Sequence, residues 1–91
     1  MESLIEKINR LGLQVVINSI VNEYERAMSK HPEWPRDVIH AAAIVTEESG
    51  ELVRAALQFE YEQGEHQSLQ NEGIQTGAMA VRFLVNMPNY Q

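Results

Sequence analysis

The sequence predicts an all-α domain of three main helices per chain, forming a helical bundle completed by oligomerisation, and three observations carry that expectation. Apolar residues recur at helical spacing through most of the chain. Capping and proline signals divide it into segments of helix length. At 91 residues the chain buries a limited share of its surface, so association of copies is the default expectation. Residues 1–91 make a single domain, with no repeat, low-complexity tract or second domain.

The first segment opens with Ser3-Leu4-Ile5-Glu6, the S-x-x-E spacing in which serine and glutamate side chains cap each other's backbone donors. From there Leu4, Ile5, Ile8, Leu11, Val15, Ser19 and Ile20 follow helical spacing. Leu13, Val16 and Ile17 add apolar groups on other faces, which predicts a helix covered on two sides, with a dimer interface as the favoured cover. Its end is expected near Lys30, because His31 precedes Pro32 and a residue before proline is pushed out of helical geometry. His31 to Pro35 then form a connector. Pro35 suits the first position of a second helix and Asp37 its first turn, where the dipole favours negative charge. That helix is expected to run to Gln63, with Gly64 as its stop and Glu65 to Ser68 as a short polar loop. A third helix follows and ends ahead of Pro88.

Composition narrows the function. Thirteen Asp and Glu against seven Lys and Arg give a net charge of −6, which opposes binding to a nucleic-acid backbone. The absence of cysteine excludes disulfides and thiolate metal sites. Neither a signal-peptide pattern nor an apolar run of membrane-spanning length occurs, so a cytoplasmic setting and no membrane partner are expected. A phosphate ligand would need a bridging cation.

The second helix carries such a site. Glu47, Glu48 and Glu51 fall within an arc of roughly 100° at 3.6 residues per turn. Glu48 also continues the apolar stripe Ala41, Val45, Leu52, Ala55 and Phe59, so this acidic face looks inward. A solvated acidic face, the ordinary alternative, usually has Lys or Arg three or four residues away. Here only Glu51 finds one, Arg54. On the third helix Glu72 lies on the stripe Leu69, Thr76, Met79 and Phe83, again without a basic neighbour, and Gly73, Gly77 and Ala80 make a narrow strip that admits a close helix. Four converging carboxylates require a counter-charge. All-oxygen ligation without Cys or paired His points to Mg²⁺ or Mn²⁺ rather than Zn²⁺, and magnesium shares its ligands readily with phosphate.

Glu47-Glu48-x-x-Glu51 followed by Glu72 resembles the EExxE…ExxD signature of MazG-like nucleoside triphosphate pyrophosphohydrolases. The flanking text, Trp34-Pro35 to His40-Ala41-Ala42-Ala43-Ile44-Val45 and Gln75 to Leu84, also resembles small single-domain members, so the likeness covers residues 31 to 87. Gln75 stands where that pattern has an Asp. The resemblance implies a helical bundle completed as a homodimer or homotetramer, with Glu47, Glu48, Glu51 and Glu72 as metal and catalytic residues. It further implies hydrolysis of a nucleoside triphosphate to the monophosphate and pyrophosphate, as in clearing of the nucleotide pool. The alternative is a non-catalytic helical module that binds metal or nucleotide, and Gln75 is its best support.

Other residues have two readings each. Trp34 stacks on a base or closes a core over its loop; the second is the commoner role of a lone Trp beside prolines. His40, with Asp37 three residues before it, is a ligand or a hydrogen-bonded helix-start histidine; no Glu-x-x-His exists, which excludes the di-iron bundle motif. Lys30, Arg36, Arg54 and Arg82 are the bases placed to meet phosphate, or surface charges. Met79 and Phe83 read as core.

Overall fold

The computed structural model describes residues 1–90. Three α-helices account for nearly all of it: α1 Leu4–Lys30, α2 Val38–Tyr61 and α3 His66–Val85, closed by a single 3₁₀ turn at Met87–Asn89. No described helix is long and apolar enough to cross a membrane. The all-helical fold and its three main segments are as expected; the boundaries differ in instructive places.

Helix α1 starts as the sequence signals, with the Ser3 hydroxyl accepting from the Glu6 N–H at 3.1 Å. It ends at Lys30, where His31 closes the last turn by donating its N–H to the Ala27 carbonyl. Helix α2 begins three residues after Pro35. Asp37 is its N-cap rather than a first-turn residue, its carboxylate accepting from the Ile39 and His40 N–H groups. The Pro35 carbonyl is engaged elsewhere, accepting from the Tyr90 hydroxyl at 2.8 Å, which holds the connector out of the helix.

The α2 terminus departs from expectation in its chemistry. The helix stops at Tyr61, and the left-handed residue is Gln63, with φ 59°, rather than Gly64. Gly64 is needed for another reason, since its N–H donates to the Gln58 carbonyl at 2.8 Å, and a Cβ there would sit 2.9 Å from the Gln58 carbonyl carbon. Close approach, not backbone handedness, fixes this glycine. The expected polar loop at Glu65–Ser68 is shorter, because α3 begins at His66, whose ring meets Phe59 edge-on at 5.9 Å between centroids.

Helix α3 is the central element. Both α1 and α2 pack on it, and no Cα atoms of α1 and α2 approach within 8 Å among the described residues. The close approach of α1 to α3 depends on Gly77, where a Cβ would lie 2.9 Å from Ile20 Cδ1. The buried apolar residues are Ala27, Ala41, Ala55 and Ala78, one or two from each helix. The middle of α1, expected to be covered on two sides, is exposed within the single chain: Leu13, Val16 and Ile17 are all at the surface.

A clasp of side chains ties the connector to the end of α3. Arg82 is 4 % exposed and donates to the carbonyls of His31 at 2.7 Å and Glu33 at 3.3 Å, with its guanidinium 4.9 Å from the Trp34 ring centre. Trp34 Nε1 in turn donates to the Tyr90 hydroxyl at 2.8 Å. Trp34 is half-buried, held between Arg82 and Tyr90. Arg82 engages backbone carbonyls and is not a surface charge.

Candidate metal centre

The α2–α3 contact is where the acids meet. Thr76, on the inward stripe of α3, donates its hydroxyl to the Glu72 carbonyl at 2.8 Å and lies 3.1 Å from the Glu48 carbonyl of α2. This hydroxyl joins the two backbones at the level of the acidic residues. Above it, one carboxylate oxygen each from Glu48, Glu51 and Glu72 lie within 4.8 Å of one another, a spacing that suits ligation of a single hard cation. Glu48 and Glu72 are partly buried and Glu51 is exposed, so the group opens to solvent on one side.

Two features show that these carboxylates lack a counterpart within the protein. Glu48 Oε2 and Glu72 Oε2 are both shielded from solvent without a hydrogen-bond partner. Carboxylate oxygens in that state carry the full cost of lost hydration. Burial is the leading cause that pushes the Glu48 carboxyl above its ordinary range, followed by repulsion from Glu51, Glu72, Glu47 and Glu23. Burial likewise raises Glu72, joined by the charge of Glu51 and a carboxyl–carboxyl contact with it. A divalent cation satisfies the orphaned oxygens and reverses both shifts, so the residues present fit a hard metal ion.

The structure thus brings together three of the four sequence-derived site residues. Glu47 is exposed on the neighbouring face of α2 and is not one of the three, though its charge reaches Glu48. Gln75 borders the adjoining cleft, as Glu48 does.

That cleft has a volume of about 330 Å³ and lies between α1, the connector, α2 and α3. Glu48 is shared between it and the acidic group, while Arg26, Lys30, Trp34, Gln75 and Met79 are among its other walls. Lys30 is therefore beside the site. Arg36 borders a separate cavity with Asn86 and Tyr90, and Arg54 makes no ion pair with Glu51 among the described residues. His40 is exposed on α2, and its backbone N–H donates to the Asp37 carboxylate.

Two contributors were missed by the sequence reading. Glu23 of α1 is a further carboxylate facing Glu48, and Arg26 holds it in a two-pronged ion pair with N–O separations of 2.6 and 2.8 Å. The Arg26 hydrogen bond is the largest cause that lowers the Glu23 carboxyl below its usual range. Their three-residue spacing is a visible signal, but Glu-x-x-Arg on an amphipathic helix ordinarily marks a surface pair.

In comparisons with known proteins, the chain matches no family model, no curated protein and no solved structure.

Proposed function

We propose that the protein is a Mg²⁺-dependent nucleoside triphosphate pyrophosphohydrolase of the MazG-like type, with Mn²⁺ as a usable substitute. The observation that carries this reading is the convergence of Glu48, Glu51 and Glu72 within 4.8 Å, two of them with orphaned oxygens, at the edge of a cleft that also presents Arg26 and Lys30. The resemblance of Glu47-Glu48-x-x-Glu51…Glu72 to the family signature supports the same assignment.

In this reading Glu48, Glu51 and Glu72 hold the ion, and Glu47 assists from the exposed face. The ion, when bound, neutralises phosphate charge and makes a coordinated water more acidic. Arg26 and Lys30 orient the phosphate chain by charge and hydrogen bonds, and Arg26 leaves Glu23 in order to do so. Glu23, once released, is a carboxylate able to accept a proton from a nucleophilic water in the cleft. Cleavage between the α and β phosphates gives a nucleoside monophosphate and pyrophosphate. A homodimer or homotetramer in a cytoplasmic setting, acting on the nucleotide pool, completes the proposal.

A second reading is favoured by Gln75, which leaves the site one anion short of the family pattern: a non-catalytic module that binds metal or nucleotide without turnover. One experiment separates them. Pyrophosphate release is measured over a panel of standard and modified nucleoside triphosphates, with Mg²⁺, with Mn²⁺ and with chelator. Metal-dependent release with a monophosphate product is expected. No release from folded protein that binds Mg²⁺ would sink the enzyme reading and leave the module.

A further inference from the structure

Arg82 is the one buried charged residue among those described, at 4 % exposure, and it makes no ion pair with any of them. The clasp occupies one of its nitrogens only, because Nη2 makes both bonds, to the His31 and Glu33 carbonyls. A guanidinium carries five N–H groups and stays charged, so the three on Nε and Nη1 are left without a protein acceptor. Neither nitrogen is sealed from solvent: the buried side-chain atoms without a partner, among the described residues, are Glu48 Oε2 and Glu72 Oε2. The cavity that Arg82 lines is the cleft beside the acidic group.

Carbonyl oxygens satisfy donors without cancelling charge. The Trp34 ring, 4.9 Å from the guanidinium carbon, steadies the cation but carries no net charge either. A cation taken out of water without a counter-charge is costly to the fold. The acids of the neighbouring group do not supply one, since burial and other carboxylates are what act on Glu48 and Glu72, with no basic group offsetting them. The wall of one cleft thus holds an uncompensated carboxylate and, apart from it, an uncompensated cation. Arg26 differs on both counts, being 56 % exposed and already paired with Glu23.

We propose that Arg82 is an anion-binding residue of this cleft, presenting Nε and Nη1 to a phosphate group of a polyphosphate. The choice of phosphate as the anion rests on the proposed function, whereas the anion site itself rests on the buried, unpaired charge. Held by two carbonyls and an indole, the guanidinium loses little side-chain freedom when the anion arrives. Arg26 must first part from Glu23. Arg82 is therefore the fixed point of the phosphate site, and Arg26 and Lys30 close on the anion from α1.

The test is calorimetric titration of the full chain with inorganic pyrophosphate in chelator, so that no metal takes part. Wild type is expected to bind, and Arg82→Gln to bind tenfold or more weakly. Arg36→Gln, at a separate cavity, should bind as wild type does. No binding by wild type, unchanged affinity in Arg82→Gln, or an equal loss in Arg36→Gln would overturn the proposal. Because Arg82 also fastens the connector, the Nε–H resonance of Arg82 in the wild type separates contact from a loss of structure. A shift that saturates along the binding isotherm supports contact, and a resonance unmoved at saturation refutes it, whether or not Arg82→Gln folds. Pyrophosphate bound at Arg82 in a chain that hydrolyses no nucleoside triphosphate would uphold this site and remove the enzyme reading alone. Hydrolysis indifferent to Arg82→Gln would remove this assignment and leave the enzyme.

Discussion

Replacing Glu48 by Gln should stabilise the metal-free protein while removing its response to magnesium. One oxygen of Glu48 lies within 4.8 Å of an oxygen of Glu51 and of Glu72. Each like-charge pair at that distance costs about 1 kcal/mol in water and about 3.5 kcal/mol at an effective dielectric of 20. Because the group opens to solvent, the lower figure applies, and relief of two pairs amounts to about 2 kcal/mol. A glutamine amide can also donate to the neighbouring carboxylates, where the glutamate could only accept. For a domain of this size the gain corresponds to a rise in Tm of about 8 °C or more in chelator at neutral pH. The wild type gains in turn when metal is added, by about 2.7 kcal/mol at 100 times the dissociation constant, and the variant does not. The pH dependence has a definite sign. Glu48 and Glu72 are raised on folding, so the native state holds protons more tightly than the unfolded chain. Metal-free stability therefore falls as pH rises from the ordinary carboxylate pKa of 4.5 through the raised native values, and Glu48→Gln flattens that fall. Differential scanning calorimetry across pH, with and without Mg²⁺, measures both effects. A variant less stable than wild type in chelator would refute the reasoning, since it would mean that the Glu48 charge is already compensated.

Glu72→Gln should weaken Mg²⁺ binding by tenfold or more in calorimetric titration, whereas Glu47→Gln, lying outside the converging group, should change it less; equal losses would place Glu47 in the coordination set. Arg82→Met should lower stability by about 2–3 kcal/mol in chemical denaturation, because it strips donors from the His31 and Glu33 carbonyls, and an unchanged midpoint would dismiss the clasp. At the end of α2, Gln63→Gly should stabilise by about 1 kcal/mol by relieving the left-handed backbone. Gly64→Ala should cost about 1–3 kcal/mol, because its Cβ meets the Gln58 backbone; the reverse order in thermal melts would contradict the turn geometry.

What was legible in the sequence follows from how local each signal is. Ser3 and Pro32 act within one turn of their own backbone, so the bounds of α1 were readable. The start of α2 was readable only in part: Asp37 is a local cap, but its neighbour Pro35 stays outside the helix, where its carbonyl accepts from Tyr90, 55 residues away in sequence. Inward placement of Glu48 and Glu72 could be reasoned from missing basic neighbours and helical phase, whereas Glu51, which joins them, is exposed. Phase alone, however, separates residues by angle and not by distance to a neighbouring helix, which is why Glu47 could not be told from Glu51. Glu23 and Arg26 escaped notice because a pair three residues apart looks the same in sequence whether it faces water or a cleft. Arg82 was read as a base placed to meet phosphate or as a surface charge for the same reason: its partners are carbonyls of a distant connector, and backbone acceptors leave no mark in a sequence.

The clasp at the connector also gives the molecule an optical probe of its own. Trp34 is the chain's one tryptophan, and it borders the cleft with its indole N–H on Tyr90 and the Arg82 guanidinium near its ring. Its emission comes from a single, defined environment, with no second indole to dilute the signal. Filling of the cleft and loosening of the C-terminal segment should shift that emission differently, one at constant helicity and the other with Tyr90 released. Ligand entry and local unfolding can therefore be followed in the unmodified chain, in the same cuvette, without attaching a label.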